Sequence, residues 1–222
     1  MFTNRKAASL KVDFHSHTIY SSDSLTPVQT LIDAARRQKL DKIVVTDHNT
    51  TVGALEAYQL APDLVIVGEE VQTTQGEFLA AFVTDPLPKY LEPAEALARL
   101  KAQGAFISIS HPFDQQRSGW PLETLEWLAP QVDAIEVLNA RVVSADYNRL
   151  ALEFARKHGL PGGAGSDGHH QSEIGRVYTE LPEFHDAESL RHAMQNAQTM
   201  GKISSPLVHL YSVWARIKKQ NQ

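Results

Sequence analysis

The sequence contains no cysteine, so the chain can form neither a disulfide bond nor a thiolate metal site. Any metal ion must be bound by histidine, aspartate or glutamate, which excludes cysteine-type zinc sites and favours a catalytic metal over a structural one. The chain also has no apolar run of membrane-spanning length. Residues 1–11 are charged and lack the apolar core of a signal peptide. We therefore expect a cytoplasmic protein with no membrane partner.

Basic residues are in the minority, with 21 Lys and Arg against 26 Asp and Glu and a net charge of −5. Because nucleic-acid interfaces usually need a basic face, this balance argues against a nucleic-acid partner. The one basic cluster in the sequence lies near the C-terminus, at Arg216, Lys218 and Lys219. The length of 222 residues and the lack of an internal repeat favour a single domain over residues 1–222. The oligomeric state is left open.

Short apolar segments alternate with helical patterns along the chain. The segments are almost continuously apolar, which is typical of strands in a parallel sheet with both faces buried. About seven strand–helix units favour an α/β protein with a closed or nearly closed barrel, and an open doubly wound sheet is the alternative. The predicted strands are Lys11–Phe14, Asp41–Thr46, Leu64–Val67, Phe78–Val83, Ala105–Ser110, Ala134–Leu138 and Leu160–Gly165.

Two further segments carry predictions about packing. The loop Phe113–Trp120 is polar and could cover a site. A C-terminal amphipathic segment is expected to turn its apolar side inward. Its apolar residues are Leu207, Leu210, Val213, Trp214 and Ile217.

Histidines and acids follow the ends of most predicted strands. His15 and His17 are two residues apart, and on an extended backbone they point to the same side. An isolated pair of this kind is more often a polar turn, but parallel barrel strands all end on one face. We therefore expect the side chains after these strands to converge on a metal site. They are His15, His17, Asp47, His48, Glu69, Glu70, His111, Asn139, Asp167 and His169.

Several neighbouring residues allow alternative interpretations. Asp47 could cap the next helix or orient a metal-binding imidazole. Strand alternation lets only one of Glu69 and Glu70 face the barrel axis. The glycine-rich run Gly162–Gly165 lacks the Lys-Ser/Thr of a phosphate-binding loop, so close backbone packing is the better interpretation. The remaining histidines are expected to be ordinary surface or core residues: His158, His170, His185, His192 and His209.

The number of candidate ligands indicates more than one ion. A catalytic zinc ion typically uses three protein ligands and water, and here about eight candidates converge. Two ions about 3.5–4 Å apart can bind a phosphoryl oxygen and activate a bridging water. The pattern therefore predicts metal-assisted hydrolysis.

Five motifs in order resemble those of the PHP (polymerase and histidinol phosphatase) family. They are Asp13–Thr18, Thr46–Asn49, Gly68–Glu70, Ser110–Pro112 and Gly165–His169, and the resemblance spans roughly residues 11 to 180. It implies a distorted seven-stranded βα barrel, similar to a TIM barrel, with a di- or trinuclear metal centre that hydrolyses phosphoesters.

The resemblance also implies ligands for two or three divalent ions, such as Mn, Zn or Fe. His15, His17 and Asp167 would bind the first ion. Glu70 would bridge to a second ion at His111, and His48, His169 and Asp23 would bind a third. Many trinuclear members have a further histidine about where Leu79 stands, so this departure puts the second ion in doubt.

The expected reaction is the hydrolysis of a small phosphomonoester by a hydroxide held on the ions. His48, His169 or Asp23 could assist the leaving group. A cation should bind the phosphate, and Arg141 is the best candidate by position. Arg117 and Arg176 are the next candidates.

Three other functions are weighed against this one. A phosphodiesterase or exonuclease acting on nucleotides or nucleic-acid ends would need a basic groove. An amidohydrolase would need a lysine at a strand end, and the sequence has none there. A non-catalytic metal-binding PHP domain would have eroded ligands, and only Leu79 suggests such a loss.

Overall fold

A computed structural model of the protein describes residues 9–221, so the sequence prediction for residues 1–11 lies mostly outside the described part. Nine strands form one sheet, with α-helices between most of them. The strands are β1 Ser9–Asp13, β2 Lys42–Val45, β3 Val65–Gln72, β4 Glu77–Ala81, β5 Phe106–Ile109, β6 Ala134–Asn139, β7 Gly162–Gly165, β8 Val177–Pro182 and β9 Gln198–Gly201. The helices are α1 Val28–Arg37, α2 Val52–Leu60, α3 Pro93–Ala102, α4 Leu122–Leu128, α5 Ala145–His158, α6 Ala187–Met194 and α7 His209–Gln220.

The first seven strands curve into a nearly closed barrel. They follow one another from β1 to β7 in the sheet, and β8 and β9 continue it beyond β1. The segments after β1 and β7 join the two ends: Asp167 N donates to His15 O at 2.8 Å and His17 N donates to Gly168 O at 3.0 Å. The predicted barrel is confirmed, and the two extra strands pair antiparallel next to β1.

Strand β4 departs from the predicted parallel arrangement, because it runs antiparallel to both β3 and β5. Only residues 73–76 connect β3 to β4, and a parallel crossover needs a dozen or more residues. The Thr73 side chain closes this turn by donating to Gly76 O at 2.7 Å. The start of β4, rather than its end, therefore lies beside the carboxyl ends of the parallel strands.

Helix α1 shows how the outer layer covers the barrel. Leu31, Ile32 and Ala35 lie on one face and are buried against Ile43 and its neighbours in β2. Burying a Leu or Ile side chain contributes about 1.5–3 kcal/mol, so this face fixes the helix on the sheet.

The prediction for the C-terminal helix is wrong. The five apolar side chains predicted to turn inward are between 51% and 70% exposed, and the buried residues of α7 are Ser212 and Ala215. The polar face of the helix lies inward because it finds partners there: Arg141 donates to Ser212 Oγ at 2.9 Å and Arg216 donates to Asp23 Oδ2 at 2.8 Å. Across residues 9–221, no helix has both the length and the apolar character needed to cross a bilayer. The wrongly placed residues are Leu207, Leu210, Val213, Trp214 and Ile217.

Candidate metal centre

Histidines and carboxylates converge at the carboxyl end of the barrel. Three overlapping groups place their ligand atoms within 4.8 Å of one another. All eight ligand candidates named from the sequence lie in this cluster or border it. The groups are His15, His17 and Asp167; His17, His48 and His169; and His48, Glu70 and Glu77.

The first group sits where β1 and β7 meet. The Nε2 atoms of His15 and His17 lie 3.2 and 3.4 Å from Glu70 Oε2. They lie 3.6 and 3.5 Å from Asp167 Oδ1. Gly165 makes this approach achievable, since a Cβ there would lie 2.2 Å from the His15 Cβ. The close backbone packing predicted for the glycine run occurs at this position.

A second carboxylate orients His15. Glu136 Oε1 accepts from His15 Nδ1 at 3.0 Å, and Glu136 Oε2 accepts from the His111 amide at 2.8 Å. With Nδ1 bonded in this way, Nε2 is the atom left to bind a metal. Sequence reasoning missed Glu136, although a single acid inside an apolar strand was a usable signal.

Ser21 orients His17, as Glu136 orients His15. Ser21 Oγ donates to Asp47 Oδ1 at 2.6 Å, so its oxygen accepts from His17 Nδ1 at 3.0 Å. Asp47 also accepts from the Thr18 amide and hydroxyl at 2.7 and 2.6 Å. Asp47 therefore orients His17 through Ser21, one of the two roles considered for it.

Asp23 lies with the second pair of histidines. Its Oδ1 is 3.4 Å from His48 Nε2 and 3.2 Å from His169 Nε2. His169 Nδ1 donates to the Asp167 carbonyl at 2.7 Å, which fixes the tautomer with Nε2 facing the cluster.

Glu77 completes the third group. His111 Nε2 lies 3.3 Å from both Glu70 Oε1 and Glu77 Oε2. Leu79 follows two residues later on the same face of β4 and lines the apolar interior of the barrel. Glu77 thus supplies a donor that Leu79 cannot. Sequence reasoning missed it because β4 was taken as parallel, and the short connection before it was the available signal.

The adjacent Glu69 points away from the cluster. Its carboxylate accepts from the Leu87 amide at 3.1 Å. Of the two neighbouring glutamates, the structure places Glu70 at the barrel axis, as strand alternation allows for only one of them.

The charges of the cluster suit cations. Burial raises the pKa of Glu70, but the charges of His15 and His48 outweigh it and lower this pKa well below its usual value. Burial lowers the pKa of His15, whereas Glu70 and Asp167 hold it well above the ordinary value. The same carboxylates would attract a divalent ion in place of these protons.

Buried atoms without a hydrogen-bond partner test whether this cluster suits metal ions. Within residues 9–221, three atoms that face the cluster have no hydrogen-bond partner: His15 Nε2, His17 Nε2 and Asp23 Oδ1. Buried polar atoms are nearly always satisfied. Imidazole nitrogens beside carboxylate oxygens are the donor set of Zn, Fe and Mn sites, so the residues fit metal ions.

The three candidate arginines differ in their burial, in their ion pairs and in whether they reach the cleft. Arg141 is buried and pairs with Glu173 at 3.3 Å and with Ser212. Arg117, from the loop predicted to cover the site, contacts the Asp167 carboxylate and pairs with Asp114 at 2.9 Å. Arg176 is exposed and does not line the cleft above the cluster. Arg117 is therefore the better-placed cation.

One histidine set aside in the sequence does reach the site. His209 of α7 lines the cleft, and its Nε2 lies 2.9 Å from the Arg141 carbonyl. Its position could not be read from the sequence because the partner lies 68 residues away.

The model of the PHP domain family matches residues 13–152, and that of a PHP-associated region matches residues 145–199. The chain belongs to the PHP family. The chain is therefore a metal-dependent hydrolase of the phosphoesterase class.

Individual proteins are also similar to this chain. The uncharacterized protein MJ0417 of Methanocaldococcus jannaschii is 36% identical over 180 residues, covering 79% of this chain and 72% of the relative. PsfC from Pseudomonas syringae PB-5123 has a similar structure, with a TM-score of 0.69, 19% identity and coverage of 95% and 99% of the two chains. A candidate metal-dependent phosphoesterase from Bifidobacterium adolescentis has a TM-score of 0.64, 17% identity and coverage of 85% and 97%. At these identities the two structures establish the fold.

Proposed function

We propose that the protein is a phosphatase that hydrolyses a small phosphomonoester with two or three divalent ions bound at the barrel end. The observation that carries the proposal is the convergence of three overlapping histidine and carboxylate groups at the base of one open cleft. The cleft has a volume of about 940 Å³, which is in the range of small-molecule sites.

The candidate ligands fall into sets by position, and each set would hold one ion. His15, His17 and Asp167 would hold one ion, and His48, His169 and Asp23 a second. Glu70 lies between these sets and would bridge to an ion at His111 and Glu77. Bound ions would polarise the phosphoryl oxygens and lower the pKa of an attacking water.

Other side chains would handle the phosphate and the leaving group. Arg117 is the cation best placed to bind a phosphoryl oxygen, because its loop brings it to Asp167 at the cleft. His169 is fixed as a ligand by its bond to the Asp167 carbonyl. His48, whose side chain is 24% exposed, and Asp23 could hold the leaving-group proton only in a centre that lacks the ion between them, since each would otherwise be its ligand.

The first test pairs metal content with turnover. We would measure Mn, Fe and Zn per chain by mass spectrometry and assay p-nitrophenyl phosphate for the wild type and His15→Ala. The control is His192→Ala, which removes a surface histidine of α6. We expect at least two ions in the wild type, with turnover that His15→Ala abolishes and His192→Ala preserves.

Two outcomes would contradict the proposal. Bound metal without turnover on any phosphoester would indicate a metal-binding domain without this activity. A protein that binds no metal after reconstitution would refute the assignment of the site.

A further inference from the structure

Helix α7 forms one wall of the cleft with its polar face. His209, Ser212, Arg216 and Lys219 are three or four residues apart, a spacing that places them on one side of a helix. All four line the cleft above the metal centre. Of the three residues in the C-terminal basic cluster, Arg216 and Lys219 therefore face the cleft. Lys218 lies on the solvent side, with its Nζ 5.2 Å from the centre of the Trp214 ring.

Arg216 is held at the edge of the metal centre. Asp23 uses Oδ1 toward His48 and His169, and its Oδ2 accepts from Arg216 Nη2 at 2.8 Å. The Arg216 side chain is 59% exposed. A guanidinium has five N–H donors in a planar fork suited to phosphate and carboxylate. Asp23 therefore positions Arg216 while leaving donors for a ligand in the cleft.

Lys219 adds a second cation one helical turn along. Its ammonium group donates to the carbonyls of Ile19 and Ser21, and a Lys ammonium has three donors. One N–H is left for a ligand in the cleft. Both cations lie on helix α7, whereas Arg117 belongs to the loop Phe113–Trp120 and contacts Asp167 of the metal centre.

We infer that Arg216 and Lys219 form a second anion site, and that the substrate carries a second anionic group, phosphate or carboxylate, a short spacer away from the scissile phosphate. This inference rests on the proposed function. The cleft of about 940 Å³ can hold such a molecule, since small-molecule sites range from about 300 to 1,000 Å³. The two residues would act in recognition and leave the chemistry to the metal centre.

The activity test uses three esters with the same carbon chain. Propyl phosphate has no second anion, 3-(phosphonooxy)propanoate has a carboxylate, and 1,3-propanediol bisphosphate has a phosphate. For the double variant Arg216→Gln and Lys219→Gln, we expect KM for the two esters with a second anionic group to rise about tenfold or more, because charge-assisted hydrogen bonds are lost. KM for propyl phosphate should change less than about twofold, and the preferred ester identifies the second anion.

A binding measurement supplies a readout that needs no turnover. Propane-1,3-bisphosphonate cannot be hydrolysed, and its Kd can be measured by calorimetry on wild type and variants. We expect the double variant to weaken binding about tenfold, Lys218→Gln to leave it unchanged, and Arg216→Lys to retain part of it. Circular dichroism and metal content, unchanged in all variants, would show that the fold and the metal centre are intact.

The outcomes separate this inference from the proposed function. Turnover of all three esters with equal KM, unaffected by the double variant, would overturn the second anion site and leave the phosphatase function standing. Loss of bisphosphonate affinity in an enzyme without turnover would support the anion site while the proposed function fails. Faster cleavage of a 5′-phosphorylated oligonucleotide than of either ester with a second anionic group would overturn the proposal that the substrate is a small molecule.

Discussion

The base of the cleft and its wall at helix α7 are held in place in different ways. At the barrel end, every metal-ligand candidate except His48 is buried, and His15, His17 and His169 each have a hydrogen bond that fixes which nitrogen faces the cluster. Helix α7 buries little besides Ser212 and Ala215, is attached mainly by polar contacts, and leaves most of its apolar side chains in solvent. The comparison suggests that the barrel end determines metal binding and the reaction, whereas α7 determines which substrates bind in the cleft.

The largest expected effect concerns the metal centre at the base of the cleft. Glu77→Leu removes a buried carboxylate from His111 and Glu70. We expect the loss of one ion per chain and a fall in kcat/KM of about 10²–10³-fold, since an ion contributes several kcal/mol to the transition state. Glu77→His should restore part of both, because imidazole can bind the same ion.

Leu79→His is the matched comparison for Glu77. Leu79 lies deeper in the barrel, among apolar residues, so a histidine there should add no ion. If metal content rises in Leu79→His and is unchanged in Glu77→Leu, then Leu79, and not Glu77, marks the ligand position.

A second pair compares an apolar face that is buried with one that is exposed. Leu31→Ala in α1 leaves a cavity in the core, and we expect a loss of about 2–5 kcal/mol in the free energy of unfolding. Leu210→Ala in α7 should cost less than about 0.5 kcal/mol, because the side chain is already in solvent. Urea denaturation measures both. Equal losses would mean that α7 is buried in solution, for instance against another chain.

Two glycines of β7 test how tightly the barrel wall is packed. An added Cβ at Gly165 would lie 2.2 Å from the His15 Cβ and 2.6 Å from Glu136 Oε1. At Gly163 the nearest atom is 3.8 Å away. We expect Gly165→Ala to cost about 1–3 kcal/mol of stability and to weaken metal binding. Gly163→Ala is the control, and comparable effects in both variants would refute the packing argument.

These contrasts also show what the sequence could reveal. The convergence of His15, His17, Glu70 and Asp167 follows from strand ends and side-chain alternation, which are local properties. Glu77 required the direction of β4, and the short connection at residues 73–76 would have supplied it. The inward face of α7 depends on a contact between Arg216 and Asp23, which are 193 residues apart, so amphipathic spacing alone pointed the wrong way.

The last comparison distinguishes Glu69 from its neighbour Glu70. Glu70 is kept ionised by histidines, whereas burial raises the pKa of Glu69 to about 7 against the opposing hydrogen bond from Leu87. Because this pKa is raised in the folded state, Glu69 favours folding below about pH 4.5 and loses that contribution as the pH rises through about 7.

Glu69→Gln removes this titration while keeping the size of the side chain. The stability of the wild type relative to the variant should therefore fall between pH 4.5 and 8, by about 3 kcal/mol at most. Urea denaturation at several pH values measures the difference, with the exposed Glu188→Gln as a control. A difference that stays constant, or that grows with pH, would mean that Glu69 is as ionised in the folded protein as Glu70. The carboxylates on the two faces of β3 would then not differ as their surroundings predict.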